Sequence, residues 1–269
     1  MLAKARTPLL LTCALLLAAG AVYSAQQNSP PAEIRPAGSE QQPKKPPIHP
    51  DAERILKATS AALAGAKQFS FKAEAWSDDV IGGHKVSTTK TMQVQVSRPD
   101  KLQVEVRSPK RSRGVWYDGK KLTVLDRKAN LYGTVSAPPT IDQMVDALDE
   151  QYGITFPLDD LLLSDPYAKA GPGIRGAAYF GKTTVLGVPC EHIGVGTDAV
   201  DWQLWVEDGG DRLPRKVVIT YKLEDTDPQF TAIFSDWKLS ASIPESTFTF
   251  SPPEGASEIE ILRRKPDAE

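Results

Sequence analysis

The spacing of apolar residues changes period several times along this chain, and each change marks an element. Ala52, Ile55, Leu56, Thr59 and Leu63 recur at helical spacing behind Asp51, a good N-cap, and Gly65 stops the run. From Phe69 the period becomes two: Phe69, Phe71, Ala73 and Ala75 alternate with Ser70, Lys72 and Glu74. Asp78-Asp79 and Gly82-Gly83 predict a turn. Met92/Val94/Val96 and Leu102/Val104/Val106 are two further alternating stripes, separated by Arg98-Pro99-Asp100. Val115-Trp116-Tyr117, Asp118-Gly119 and Leu122-Thr123-Val124-Leu125 read as a hairpin, and residues 130–135 follow as a sixth strand.

The middle of the chain reads as helical. Thr140-Ile141-Asp142-Gln143 fits a capping box, with Ile141, Met144, Val145 and Leu148 on one face and Gly153 as the stop. Pro157 to Leu163 reads as a second short helix carrying Leu158, Leu161 and Leu162. Strands then resume near 177–186, 189–196, 201–207, 213–222 and 230–239. The pattern predicts a mainly β (α+β) domain: about eleven antiparallel strands, paired largely in chain order, with a few helices. A sheet of that width curls. The helices, each with one apolar stripe, then fill its concave side and make a groove between sheet and helices the natural ligand site.

The first residues add a compartment. Lys4 and Arg6, the apolar run Leu9–Ala19 and small residues up to Ser24 are the order of a secretory signal peptide. The run is short of the roughly 20 residues a membrane span needs. Residues 1–24 are therefore read as signal peptide and the chain as periplasmic or secreted. Residues 25–50 hold Pro30, Pro31, Pro36, Pro43, Pro46, Pro47 and Pro50 with almost no large apolar side chains, a composition that reads as a disordered linker. The globular body is placed at 51–260 and a polar tail at 261–269.

Charge and candidate chemistry narrow the function. The chain carries 32 Lys+Arg against 34 Asp+Glu, and loss of residues 1–24 makes it more acidic, which argues against a nucleic-acid partner. After cleavage only Cys190 remains, so no internal disulfide holds the domain. His49, His84 and His192 lie apart and show no metal-ligand spacing. Cys190 and His192 share a strand face, yet no third orienting group accompanies them, and an inert pair outweighs a thiol-dependent enzyme. Asp78-Asp79 reads as turn chemistry, Asp159-Asp160 as acids favouring a helix N-terminus, and Glu207–Asp211 as a hairpin turn rather than a calcium loop. The sequence points to no cofactor, no metal and no catalytic residues. Lys110, Arg111 and Arg113, with Arg107, form a basic cluster, read either as a contact for anionic headgroups or an acidic partner, or as a solvated loop.

Four segments carry a family resemblance. Pro99-Asp100-Lys101-Leu102-Gln103-Val104-Glu105-Val106, Trp116-Tyr117-Asp118-Gly119-Lys120-Lys121-Leu122, Leu213-Pro214-Arg215-Lys216-Val217-Val218-Ile219 and Phe248–Ala256 resemble, in order, segments of the LolA and LolB lipoprotein-carrier superfamily. Trp202-Gln203-Leu204-Trp205-Val206-Glu207 with Leu213–Lys216 is more closely similar to a predicted periplasmic family, domain-of-unknown-function family 2092. The resemblance implies an open, curved antiparallel half-barrel capped by lid helices, an apolar cavity for acyl chains, no cofactor and no catalysis. On this reading the cavity-lining candidates are Phe69, Phe71, Met92, Val94, Val96, Leu102, Val104, Val106, Trp116, Leu122, Val124, Trp202, Leu204 and Val206. The lid candidates are Ile141, Met144, Val145, Leu148, Leu158, Leu161 and Leu162. The expected partner is a lipid or lipidated protein with transient membrane contact. The alternative is an envelope sensor that binds another protein, its cavity filled by its own side chains.

Overall fold

A computed structural model of the protein describes residues 47–263, apart from 153 and 155–157. The predicted signal segment, the linker as far as residue 46, Gly153, Pro157 and the tail from residue 264 lie outside the described residues.

One helix, α1 (Pro50–Gly65), precedes six strands: β1 (Gln68–Ile81), β2 (His84–Ser97), β3 (Lys101–Arg107), β4 (Ser112–Tyr117), β5 (Lys121–Asp126) and β6 (Leu131–Ser136). A helical connection follows, made of α2 (Ile141–Tyr152), a 3-10 turn (Asp159–Leu162) and α3 (Pro166–Ala170). It leads to β7 (Gly176–Val185), β8 (Val188–Gly196), β9 (Val200–Glu207), β10 (Pro214–Tyr221) and β11 (Gln229–Lys238), and a short β12 (Ser257–Glu258) closes the chain.

The twelve strands among the described residues join one open, curved sheet in the order β12-β6-β5-β4-β3-β2-β1-β11-β10-β9-β8-β7. Chain-order pairing holds within β1–β6 and within β7–β11, but β6 does not meet β7. The helical connection carries the chain from one edge of the sheet to the other, and the two meanders meet where β1 pairs antiparallel with β11, Ala75 opposite Ala232. β12 is an addition to the predicted strands and pairs parallel with β6 through Ser257 and Glu258. Near the end of the body a 3-10 turn over Glu245–Phe248 buries Phe248.

Several boundaries move for local reasons. The cap of α1 is His49, whose Nδ1 accepts from Asp51 N, with Pro50 opening the helix. Ile48 bridges to Ala177, so the fold takes in residues ahead of the predicted start at 51. Asp78 and Asp79 lie inside β1 opposite Ser87 and Val86, and the turn itself is Gly82-Gly83, both with positive φ. The segment read as a second helix is the 3-10 turn, and the five-residue α3, capped by the Asp165 side chain, was not predicted at all.

Residues on the helix-facing side of the sheet form a single core with both long helices. Phe69, Phe71, Val94, Val96, Leu102, Tyr117 and Leu122 pack with Ile141, Met144 and Leu148 of α2 in one half. Ile193, Val195, Leu204 and Val206 share that core with Ala52, Ile55 and Leu56 of α1 in the other.

Candidate functional site: an apolar cavity beneath the helices

In strands β9, β10 and β11 the alternation puts Trp202 and Leu204, Val217 and Ile219, and Phe234 on the helix-facing side, in register with one another. The stripe Leu56, Thr59, Ser60 and Leu63 of α1 runs above them, and α3 closes the side with Pro166, Tyr167 and Ala170. Between these walls lies a cavity of about 310 Å³. Leu158 and Leu161 from the 3-10 turn and Ile174 complete the apolar lining, and Thr197 and Val200 stand at the sheet end. Asp160, Tyr167 and Lys169 are the titratable groups among its described lining residues, all on the helical side.

Two kinds of tie hold the roof. Helix α1 is bolted through a buried carboxylate. Glu191, 3% exposed, faces inward from β8, where Arg54 Nη2 donates to its Oε1 at 2.8 Å and Arg212 Nη1 donates to its Oε2. Burial alone would raise the Glu191 pKa, but the two guanidiniums outweigh it and hold the carboxyl below its ordinary range. The connection 141–170 is held by the half-buried Arg98 and by ties nearer the surface. Arg98 donates to the carbonyls of Leu162 (2.6 Å) and Leu163 (2.7 Å). Ser60 Oγ donates to Asp165 Oδ1 at 3.0 Å, and Tyr167 OH donates to Glu53 at 3.0 Å. Lys169 pairs with Asp146, and Asp142 accepts from the backbone and hydroxyl of Ser164. The Arg98 guanidinium also covers the Phe69 ring, burial lowers its pKa, and its Nε is buried without a hydrogen-bond partner among the described residues. In sequence Arg98 is only a turn residue beside Pro99.

The predicted cavity residues divide. Trp202 and Leu204 line the cavity, as do Leu158 and Leu161. Phe69, Phe71, Val94, Val96, Leu102, Leu122 and Val206 do not. They are buried in the common core, where Phe69 and Phe71 make ring contacts with Phe234 and Trp237. Met92, Val104 and Val124 are half-buried against the same core. Val106 lies at the open end, opposite Arg113. Ile141, Met144 and Leu148 of α2, with Leu162, are buried in that packed half, and Val145 lies half-buried beside it. Trp116 is a correction of face. It projects from the outer side of β4, seated over Gly114, where a Cβ would run into its ring, and packs on Phe250, with Arg127 above it. The lining residues not predicted as a site are those of α1 and α3 with Val217, Ile219 and Phe234. Their alternation and helical stripe are visible in sequence, but nothing there distinguishes a void from a filled core.

The remaining candidates lie elsewhere. Cys190 and His192 point outward from β8. Cys190 is fully buried, its Sγ donates to Val188 O, and burial raises its pKa. The His192 ring stacks on Trp205 and bonds to Gln203, and burial lowers its pKa. Lys110 and Arg111 are exposed on the β3–β4 turn, and Arg113 pairs with Asp126 at 3.8 Å. Among the described residues no group of three or more His, Cys, Asp or Glu is placed to hold a metal, and no helix is long and apolar enough to cross a membrane.

A family model described as "Predicted periplasmic protein (DUF2092)" matches residues 52–262. No curated protein matches the chain. Among solved structures, an uncharacterized conserved protein from Thermus thermophilus is similar at 10% identity and TM-score 0.45, over 78% of this chain and 99% of that one. The Mycobacterium tuberculosis lipoprotein LppX aligns at 12% identity and TM-score 0.43, over 70% and 95%. A LolA superfamily protein from Nitrosomonas europaea aligns at 12% identity and TM-score 0.39, over 74% and 97%.

Proposed function

We propose that this chain, which belongs to the DUF2092 family of predicted periplasmic proteins, is a non-catalytic binding protein that holds an acyl chain of a lipid or lipidated protein between β9–β11 and the helices. The observation that carries the reading is the apolar cavity of about 310 Å³, walled by Leu56, Leu63, Trp202, Leu204, Val217 and Ile219. Each methylene taken out of water contributes about 0.8 kcal/mol, so an alkyl chain binds such walls without a polar partner. Access is through α3 and the 3-10 turn. The ties of α3 to the body are single hydrogen bonds and exposed ion pairs, the latter worth about 0–1 kcal/mol apiece, and the 3-10 turn adds the two Arg98 bonds to Leu162 and Leu163, whereas α1 is fixed by the buried Glu191 cluster.

The test is to extract the purified protein, identify co-purifying lipid by mass spectrometry, and titrate the emptied protein with an environment-sensitive acyl probe. Val217→Phe, which fills the void, is expected to weaken probe binding at least about tenfold, the loss of some 1.4 kcal/mol. Protein that is empty and ignores the probe, or a Val217→Phe variant that binds it as tightly as the parent, would refute the proposal.

A further inference from the structure

One end of the sheet combines three features that occur together nowhere else on the molecule's described surface. The first is an overhang. β3 pairs with β2 only from Thr91 onward, and β11 pairs with β1 only as far as Ser77, so residues 78–90 run on past both ladders as a hairpin that is touched on one side by the β10–β11 loop, where Asp78 accepts from Gln229 N and Lys85 donates to Thr226 O. Its tip exposes Val80 (60%), Ile81 (48%) and Val86 (38%). The second is charge. Antiparallel register brings the β3–β4 turn and the β5–β6 turn to the same end, and these carry Arg107, Lys110, Arg111, Arg113, Arg127 and Lys128, all exposed. Glu105 and Asp126 neutralise Arg127 and Arg113, and Lys128 reaches back to the carbonyl of Pro109. Arg107, Lys110, Arg111 and Lys128 form no ion pair within 4 Å among the described residues, and Arg111 feels Asp126 only at longer range. The third is the cavity's sheet-end wall: Thr197 and Val200 flank the β8–β9 loop, at this same end. The opposite sign lies across the hairpin, where Glu224, Asp225 and Asp227 of the β10–β11 loop are exposed.

We propose that this rim docks the protein on an anionic bilayer surface, with the β3–β4 and β5–β6 turns against the headgroups and the β1–β2 tip entering the interface. Cations outside ion pairs concentrated on two neighbouring turns, beside exposed β-branched side chains and with the acidic loop on the far side, while Lys85, Lys222 and Arg175 at this end are paired with carboxylates, match a surface that is negative outside and apolar within. An acidic protein patch would complement the cations and leave Ile81 and Val86 unexplained. The proposal goes beyond acyl binding, and it stands even if the cavity holds no lipid.

Sedimentation of the purified protein with vesicles of pure phosphatidylcholine, and of phosphatidylcholine containing phosphatidylglycerol, tests it at low and at physiological salt. Expected is binding to the phosphatidylglycerol vesicles, weakened by salt. Each basic residue near such a surface contributes about fivefold (about 1 kcal/mol), so R111E/K128E is expected to lose at least twentyfold. I81S/V86S keeps the salt dependence and loses a smaller, salt-independent part. Absence of binding to anionic vesicles, equal binding to both vesicle types, or an R111E/K128E variant that binds like the parent overturns the proposal. So does soluble polyglutamate binding as tightly as the vesicles, which assigns the cluster to an acidic protein partner. Because the acyl-probe titration needs no vesicles, failure of either proposal is read separately.

Discussion

The two halves of this sheet are built from the same alternating strands and have opposite interiors. In β1–β6 the inward stripe is closed by α2 and by ring contacts of Phe69 and Phe71 with Phe234 and Trp237 of β11, leaving Phe69, Phe71, Val96 and Tyr117 with 0–1% exposure. In β9–β11 the inward stripe is as apolar, yet it faces helices α1 and α3 across a void. The difference lies in what the helices bring down. α2 drops Met144 and Leu148 into the packed half, whereas the lower face of α1 mixes Leu56 and Leu63 with Thr59 and Ser60. Those hydroxyls bond to Arg212 O and Asp165 rather than to the sheet. A cavity here follows from small polar residues on a helix whose height is fixed elsewhere.

The sharpest break in the comparison comes from truncation. Phe71→Ala in the packed half is expected to cost about 3–5 kcal/mol in urea unfolding, because the cavity it leaves adds to the lost transfer energy. Ile219→Ala enlarges a void already present and is expected at the low end for such a change, about 2 kcal/mol. Equal losses at the two sites would mean that the void closes in solution.

Next is the bolt that keeps α1 at its height. Glu191→Gln leaves Arg54 and Arg212 facing a neutral group and is expected to cost about 3 kcal/mol, as for other broken buried pairs. The sign of the pH dependence follows from the depressed pKa. Its stabilisation is complete above the ordinary carboxylate value of 4.5 and is lost as pH falls through the lower folded-state value. Thermal melts of the parent should therefore fall away below pH 4.5, and the Glu191→Gln variant should show a flatter acid limb. Parallel acid limbs in the two proteins would remove Glu191 from this role.

Enlargement gives the smallest contrast and the most diagnostic one. Val94→Phe overpacks the solid half and is expected to cost about 1–3 kcal/mol. Val217→Phe has room and should change stability by less than about 1 kcal/mol. A Val217→Phe variant as destabilised as Val94→Phe would deny the void.

Much of this frame is legible in the sequence, and the failures have specific causes. Strict alternation such as Met92-Gln93-Val94-Gln95-Val96 fixes which side chains face inward, and the structure pairs them in that register with β3. Val115-Trp116-Tyr117 has no polar partner in the alternation, so its faces are ambiguous, and Trp116 falls outside. β12 is two polar residues and α3 is five, too short for any period to show. The cavity is invisible for a deeper reason: Val217 and Val94 are the same residue in the same pattern. What separates them is the volume delivered by a helix remote in sequence. Arg98 is missed likewise, since its acceptors are backbone carbonyls of Leu162 and Leu163.

The pairing of β1 with β11 has a consequence in time. Ala75 and Ala232 are more than 150 residues apart, and every contact across that seam waits until nearly the whole chain is available. β1 and β2 meet through a two-residue turn and form early; the seam carries a large loop-closure cost and forms late. A chain delivered N-terminus first therefore presents a six-strand meander whose β1 edge is bare, with Phe69 and Phe71 uncovered by Phe234 and Trp237. Such an edge is a template for wrong pairing. Completion of the sheet belongs to the end of synthesis and delivery, and truncation anywhere before β11 leaves that edge open permanently.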